Sequence, residues 1–242
     1  MRALILAAGT GSRLGALTSR RNKCLLDCRG RPIVDLVASS AAQIPEITEV
    51  VMVVGYRANE VVQHFQEHPI GRPLTFVHQS EQRGLVDAID CARPWVDDDE
   101  VLLLLGDEVL LGGRYQEFIN DFHDQGFQAS IGALPTNDLD RISKTYTFSY
   151  SGRQVRRLVE KPSVALSPQM GTGSVLFSAG ILSHSDLTKP NPARSEKDLA
   201  GVLQTIVDHG HPVGWFDVCE GFVNVNTPDD LKDARQLAKS GL

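Results

Sequence analysis

The segment Leu4-Ile5-Leu6-Ala7-Ala8-Gly9-Thr10-Gly11-Ser12-Arg13-Leu14, followed by Lys23, decides the fold. An apolar run of strand length passes straight into a glycine-rich turn that carries an arginine. Gly9 and Gly11 can take backbone angles closed to residues with a Cβ, so the peptide N–H groups of the turn can close around an anion, and Arg13 and Lys23 add charge-assisted hydrogen bonds. The glycines alone would serve equally well in a tight strand-to-helix connection. The two cations tip the reading toward a nucleoside triphosphate site, with Leu6, Ala7, Ala8, Gly9 and Gly11 around the nucleotide.

Two other glycine loops fit the same residues poorly. A Walker A loop has four residues between its glycines and then Gly-Lys-Ser/Thr, whereas these glycines are two apart and the lysine comes much later. A dinucleotide fingerprint needs a third glycine near Leu14 and an acid after the next strand. The third glycine is displaced to Gly15, and the strand Glu49–Val54 runs into Gly55-Tyr56-Arg57 with no acid to hold a ribose.

Outward from this turn, strands and helices alternate. Strands are expected at Ala3–Ala8, Glu49–Val54, Leu74–His78 and Val101–Leu105, with helices between them at about Ile33–Ala42, Ala58–His68 and Leu85–Ala92. The unbroken apolar run Val101–Leu105 predicts a central strand buried on both faces. A helix near Tyr115–Asp124 precedes a strand near Gln128–Ala133. Thr145–Tyr150, Gln154–Glu160 and Ser174–Ala179 then suggest antiparallel strands, the first two joined at Ser151-Gly152. Helices near Glu196–His209 and Pro228–Lys239 follow. The expectation is one α/β domain over 1–242 with a Rossmann-like, mostly parallel sheet and a small antiparallel insertion. A nucleotide-binding half, about 1–135, would precede an acceptor-binding half, about 136–242.

The opening run resembles the signature of the nucleotidyltransferases that make nucleotide-activated sugars: the sugar-1-phosphate thymidylyl- and uridylyltransferases and their cytidylyl relatives. The resemblance continues along most of the chain. Lys23-Cys24-Leu25-Leu26 with Gly30-Arg31-Pro32-Ile33 is similar to Pro-Lys-x-Leu-Leu followed by Gly-Lys-Pro-Ile, with Asn22 in place of proline. Gln79-Ser80-Glu81-Gln82-Arg83-Gly84-Leu85 with Ala88 resembles the base-reading segment, and Leu102–Leu105 with Gly106-Asp107 the metal-binding strand end. Glu160-Lys161-Pro162 and Gly173 resemble the acceptor site, and Asn226-Thr227-Pro228-Asp229-Asp230-Leu231 the closing motif.

This resemblance implies attack by an acceptor phosphate oxygen on the α-phosphorus of a nucleoside triphosphate, with release of pyrophosphate and no protein nucleophile. It implies Mg2+, which clamps phosphate oxygens with few protein ligands. Asp107 is the first ligand candidate, since a carboxylate after a buried strand needs a cation or a hydrogen-bond partner. Glu108 should point elsewhere if strand alternation persists. Arg13 and Lys23 would hold the triphosphate and Lys161 the acceptor phosphate, with Gly84 and Gln79 at the base. A glutamine amide offers both a donor and an acceptor to a pyrimidine edge, which leaves CTP, UTP and dTTP open.

Two departures bear on the acceptor and the metal. Asn224 stands where the family pattern resembles an aspartate serving as second metal ligand; it keeps a carbonyl oxygen and loses a negative charge, which Asp217 or Glu220 could supply. Lys144-Thr145-Tyr146 stands where sugar-specific members resemble Tyr-Gly-Val, so Thr145 fills room a hexose would use and Lys144 adds a cation. The acceptor is therefore a sugar-1-phosphate or a small anion such as a phosphonate, phosphocholine or polyol phosphate. The alternatives are a noncatalytic nucleotide-binding regulator, which Asn224 encourages, and a glycosyltransferase of related fold, which would release no pyrophosphate.

Composition agrees with a globular enzyme: 242 residues, 42% hydrophobic and 22% charged. The net charge of −6 argues against nucleic acid as partner. With no signal-like N-terminus and no membrane-length apolar run, a cytoplasmic location is expected, and a homodimer stays open. Cys24, Cys28, Cys91 and Cys219 lack the paired spacing of a zinc site and read as reduced thiols.

Overall fold

The computed structural model describes residues 1–192 and 195–239. Its elements run β1 (Arg2–Ala7), α1 (Ile33–Ala42), β2 (Glu49–Val54), α2 (Ala58–Glu67), β3 (Leu74–His78), α3 (Leu85–Val96), β4 (Val101–Leu105) and β5 (Glu108–Leu111). They continue as α4 (Tyr115–Gln125), β6 (Ala129–Pro135), α5 (Leu139–Ile142), β7 (Tyr146–Ser151), β8 (Gln154–Glu160), β9 (Gln169–Phe177), α6 (Leu199–Asp208), β10 (Val213–Asp217), β11 (Gly221–Asn224) and α7 (Pro228–Leu237).

The main sheet has the order β3-β2-β1-β4-β9-β6-β10-β8-β7. Its first four strands are parallel, with Leu4 opposite Val51 on one side and Leu103 on the other. Side chains alternate across them. Leu4, Leu6, Val51, Val53 and Leu103 pack beneath α3 and α6, while Ala3, Ile5, Val50, Met52, Leu102 and Leu104 pack beneath α1, α2 and α4. Both faces are covered, which is why these strands read as continuous apolar runs rather than alternating ones. Phe118 and Phe122 of α4 are fully buried in the second layer, each contributing about 1.5–3 kcal/mol.

The rest of the sheet is more mixed than the sequence suggests. The strand expected at Ser174–Ala179 starts five residues earlier, at Gln169, and all nine residues of β9 are buried. It lies antiparallel between β4 and β6, in the middle of the sheet rather than in a peripheral insertion. Beyond it, β10 runs parallel to β6 while β7 and β8 form an antiparallel hairpin. Because β7 also pairs with β9, the pairings β9-β6-β10-β8-β7-β9 close on themselves. Three short strands that sequence reading misses, β5, β10 and β11, complete the fold.

Two of these, β5 and β11, pair antiparallel as a separate ribbon, with Glu108 opposite Asn224 and Val109 opposite Val223. Helix α7 anchors it: Leu231 and Ala234 join Val109, Val225, Leu14, Leu26 and Ile33 in one apolar cluster. The Thr227-Pro228 start of α7 is built as a capping box. The Thr227 hydroxyl accepts from the Asp230 N–H, and the Asp230 carboxylate accepts from the Thr227 N–H at 2.8 Å and the Asn226 N–H at 3.0 Å. The closing motif therefore fixes the position of Asn224 and Asn226. No helix among the described residues is long and apolar enough to cross a membrane.

Candidate active site

The turn after β1 is shaped by contacts within the protein. Gly11 has φ +63°, and a Cβ there would lie 2.9 Å from Lys23 Cβ, so the site demands glycine on both backbone and packing grounds. The Thr18 hydroxyl donates to the Gly11 carbonyl at 2.9 Å, holding the turn against the segment that delivers Lys23.

Lys23 is buried, and its ammonium forms an ion pair with Asp107 at the end of β4. Burial works against the lysine charge, Asp107 favours it, and the net displacement of the Lys23 pKa is upward. Burial, reinforced by Asp107, pushes the neighbouring Cys24 thiol up to about 12, so it stays protonated at neutral pH. Cys24, Cys28, Cys91 and Cys219 are all free thiols.

A cavity of about 830 Å³ lies beside the C-terminal end of β4 and is bounded by the β5–β11 ribbon, the middle of β9 and the start of β7. It brings together Arg13, Asp107, Lys144, Glu160, Lys161, Gly173 and Asn224 in its wall. Lys23 is not in that wall: it stands behind Asp107. Leu6, Ala7, Ala8, Gly9, Gly11, Gln79 and Gly84 also lie outside the lining, on the β1 and β3 side of the sheet.

Through this wall runs a chain of polar contacts. Arg13 donates to Asn226 Oδ1 at 2.8 Å, with Lys23 Nζ 3.3 Å from the same oxygen. Asn226 Nδ2 donates to Asn224 Oδ1 at 2.6 Å, and Asn224 Nδ2 to Glu108 Oε1 at 3.3 Å. The Gly173 N–H donates to both Glu108 oxygens, at 3.1 and 3.0 Å. Glu108 thus does not turn away as strand alternation implies. Gly106 and Asp107 form a turn that ends β4, and Glu108 opens a new strand facing the cavity. It is 3% exposed, and burial, then the charge of Asp107, raises its pKa well above the ordinary carboxylate range. Neither Asp217 nor Glu220 lines the cavity.

On the acceptor side, the β7–β8 register sets Tyr146 opposite Glu160. That places Lys144 and Thr145 beside Lys161, whose N–H donates to the Thr145 carbonyl at 2.6 Å. Tyr146 is buried and donates its hydroxyl to the Thr172 carbonyl at 2.9 Å. Thr145 borders the cavity and its buried Oγ1 has no hydrogen-bond partner in the protein. Lys144 is largely exposed and stands 3.8 Å from Asp230.

Gln79 is buried, and its Nε2 donates to Asp87 at 2.7 Å and the Gly84 carbonyl at 3.1 Å. Both amide hydrogens are thereby used, so Gln79 keeps only its oxygen for a base edge. A carboxylate on one side of the amide fixes which atom is nitrogen.

The model of the family described as "Nucleotidyl transferase" matches residues 2–240. The chain belongs to that family. Among its nucleotidyl transferase relatives is the UTP-glucose-1-phosphate uridylyltransferase AglF of Haloferax volcanii, 27% identical over 98% of this chain and 96% of that protein. The low-salt glycan biosynthesis nucleotidyltransferase Agl11 of the same organism is 24% identical, and the glucose-1-phosphate thymidylyltransferase of Streptomyces antibioticus 29%. The chain spans 66% and 61% of the length of these two. The fold is that of solved nucleotidyl transferases. An inositol-1-phosphate CTP transferase from T. maritima superposes with TM-score 0.80 at 21% identity, over 98% of this chain and 95% of that one. A UDP-glucose pyrophosphorylase complexed with UDP-glucose gives 0.83 at 15% identity, over 99% and 98%.

Sequence reading of this nucleotidyl transferase missed Glu108 as a site residue. The available signal was the Gly106-Asp107 pair itself, because a glycine followed by two acids makes it hard to continue an apolar strand.

Proposed function

We propose that this nucleotidyl transferase moves a nucleoside monophosphate from a pyrimidine nucleoside triphosphate to the phosphate of a sugar-1-phosphate or a small phosphorylated polyol. The observation that carries this reading is the convergence of Asp107 and Asn224 with Lys144 and Lys161 on one cavity of about 830 Å³. The acceptor phosphate oxygen bonds to the α-phosphorus, the bond from that phosphorus to the bridging oxygen breaks, and pyrophosphate leaves. The acceptor is already an anion, so no protein base is required. The burden falls on positioning two negatively charged groups and on stabilising the charge that develops between them.

Asp107 and Asn224 offer a carboxylate and an amide oxygen, a hard donor set that suits Mg2+. The ion bound there would draw charge from the triphosphate oxygens and orient the α-phosphate. Arg13, donor-only and directed into the cavity wall, pairs with the triphosphate. Lys23 restrains Asp107 from behind and lends positive charge to the same region. Lys161 takes the acceptor phosphate, with Lys144 as a second cation, and the unpartnered Thr145 hydroxyl is set to bond an acceptor oxygen. The names of AglF, of the thymidylyltransferase and of the inositol-1-phosphate CTP transferase support a pyrimidine nucleotide and a polyhydroxyl acceptor. The side chain of Thr145 favours the smaller acceptors.

The test is pyrophosphate release with Mg2+ when CTP, UTP, dTTP, ATP and GTP are crossed with sugar-1-phosphates, inositol phosphate, phosphocholine and small phosphonates. One strong pyrimidine pair is expected. Nucleotide binding without pyrophosphate from any pair would overturn the reading in favour of a binding protein.

A further inference from the structure

The polar chain at the cavity wall has a direction set by the chemistry of its two ends. Arg13 and Lys23 carry donors only, so the oxygen of Asn226 has to face them, at 2.8 and 3.3 Å. Its Nδ2 must then face Asn224, whose Oδ1 accepts at 2.6 Å, and Asn224 Nδ2 is left to meet Glu108 Oε1 at 3.3 Å. The donor-only cations fix this order by themselves, and Glu108 accepts at the far end. A flip of either amide would set nitrogen against nitrogen or oxygen against oxygen. The orientation of Asn224 is therefore decided by its neighbours, with one lone pair of its oxygen left over after the Asn226 contact.

Glu108 is itself locked. Asn224 is its cross-strand partner in the β5–β11 ribbon, and the Gly173 N–H holds both of its oxygens. A Cβ on residue 173 would lie 2.8 Å from Glu108 Oε1 and 2.3 Å from Leu105 Cγ, so β9 can carry only glycine where it meets this carboxylate. An aspartate at 224 would set a second carboxyl group directly against Glu108 in a buried place. The site holds one acid and one amide in this cross-strand pair, with the acid on β5.

We propose that Glu108 is a positioning residue for the metal ion: by accepting from Asn224 Nδ2 while held by the Gly173 N–H, it keeps the Asn224 carbonyl oxygen in its ligating orientation. This rests on the reading of Asp107 and Asn224 as the metal ligands. Groups that orient a ligand from behind commonly matter about as much as 10–100-fold in metal affinity.

The experiment is water-proton relaxation by Mn2+ added to the full chain saturated with the α,β-methylene analogue of the preferred nucleotide, which cannot be cleaved. Three proteins are compared: the unaltered chain, Glu108→Gln and Glu108→Met. Glutamine keeps the shape and the acceptor oxygen for Asn224 Nδ2, methionine keeps the shape and removes the acceptor, and thermal unfolding checks that each variant is folded. We expect Mn2+ affinity to fall about 10–100-fold in Glu108→Met and to stay within a few-fold in Glu108→Gln. The Mg2+ concentration for half-maximal rate should follow the same order, with the acceptor KM unmoved. Unchanged Mn2+ affinity in folded Glu108→Met overturns the inference while leaving the metal reading intact. So does a folded Glu108→Gln that binds as weakly as Glu108→Met. No ternary Mn2+ complex in the unaltered chain removes the metal reading and the inference with it.

Discussion

The main-chain N–H of Lys161 donates to the Thr145 carbonyl at 2.6 Å from a backbone with φ +45°. A side-chain-bearing residue held in the left-handed region costs on the order of 1 kcal/mol, and here a short cross-strand hydrogen bond at the exit of β8 holds it there. The strained backbone sits where the acceptor phosphate is proposed to bind. Lys161→Ala should therefore lower kcat/KM for the acceptor by about 10–100-fold, the worth of one charge-assisted hydrogen bond. The nucleotide KM and the Tm should barely change. Lys161→Gly should match it in activity while gaining slightly in Tm. Steady-state kinetics with each substrate varied in turn would decide, and an unchanged acceptor KM and kcat would rule the role out.

Thr145 presents a buried hydroxyl with no protein partner, a state that costs about 1–3 kcal/mol when nothing bonds it. Thr145→Val removes the hydroxyl at constant shape, so Tm should hold or rise, and the acceptor KM should increase several-fold if the acceptor supplies the missing bond. Thr145→Gly should instead shift preference among acceptors toward hexose-1-phosphates by enlarging the cavity beside Lys161. A variant series with the same acceptor ranking as the unaltered chain would show that residue 145 does not set the acceptor's size.

The Lys23–Asp107 pair separates stability from chemistry. Their side chains are 9% and 15% exposed, and removing one partner of such a pair strands the other at a cost of about 3–5 kcal/mol. Asp107→Ala should therefore lose both stability and pyrophosphate release. Lys23→Met combined with Asp107→Ala should recover most of the stability and none of the activity. Urea unfolding alongside the pyrophosphate assay reads both. Activity in the double variant would show that Asp107 serves only to neutralise Lys23.

The parallel half of the sheet was legible because its strands are mostly apolar runs bounded by turn residues. Val101–Leu105 needs two covered faces, and Glu49–Val54 ends where Gly55 begins. What escaped were the four-residue β5 and β11, too short to carry a period, β10, whose apolar run is broken by Gly214, and the central place of β9, whose Gly171-Thr172-Gly173 reads as loop. Gly171 is a strand residue because the Tyr146 ring occupies the place of a Cβ, 2.1 Å from where that atom would stand, a long-range contact that no local pattern announces. The candidate site was legible where a motif carries a charged side chain that the cavity wall then gathers, as at Arg13, Asp107 and Lys161. Glu108 escapes strand alternation because the backbone turns at Gly106 and Asp107 and a new strand starts at Glu108. The sequence offers Gln79 to a base edge with both donor and acceptor, whereas the partners that take its amide hydrogens, Asp87 and the Gly84 carbonyl, show only in the folded chain.

His184 gives the fold an acid-side sensitivity far from the cavity. Its Nδ1–H donates to the Ile181 carbonyl at 3.1 Å, and the rings of His209 and His211 stand edge-on at 5.4 and 4.8 Å. Burial, and to a lesser degree the two neighbouring histidines, hold the His184 pKa below the ordinary 6.5 against the opposing pull of the Ile181 hydrogen bond. The folded state thus binds its proton less tightly than the unfolded chain. The stabilising contribution is complete above the unfolded value, is lost as pH falls below 6.5, and stops changing below the folded value. His184→Asn can keep the bond to Ile181 through its amide and cannot titrate. Between about pH 8 and about pH 5, where histidine changes charge, the unaltered chain should lose more Tm than the variant, because the carboxylate contributions common to both cancel. Parallel Tm profiles across that window would show that His184 titrates alike in the folded and unfolded states.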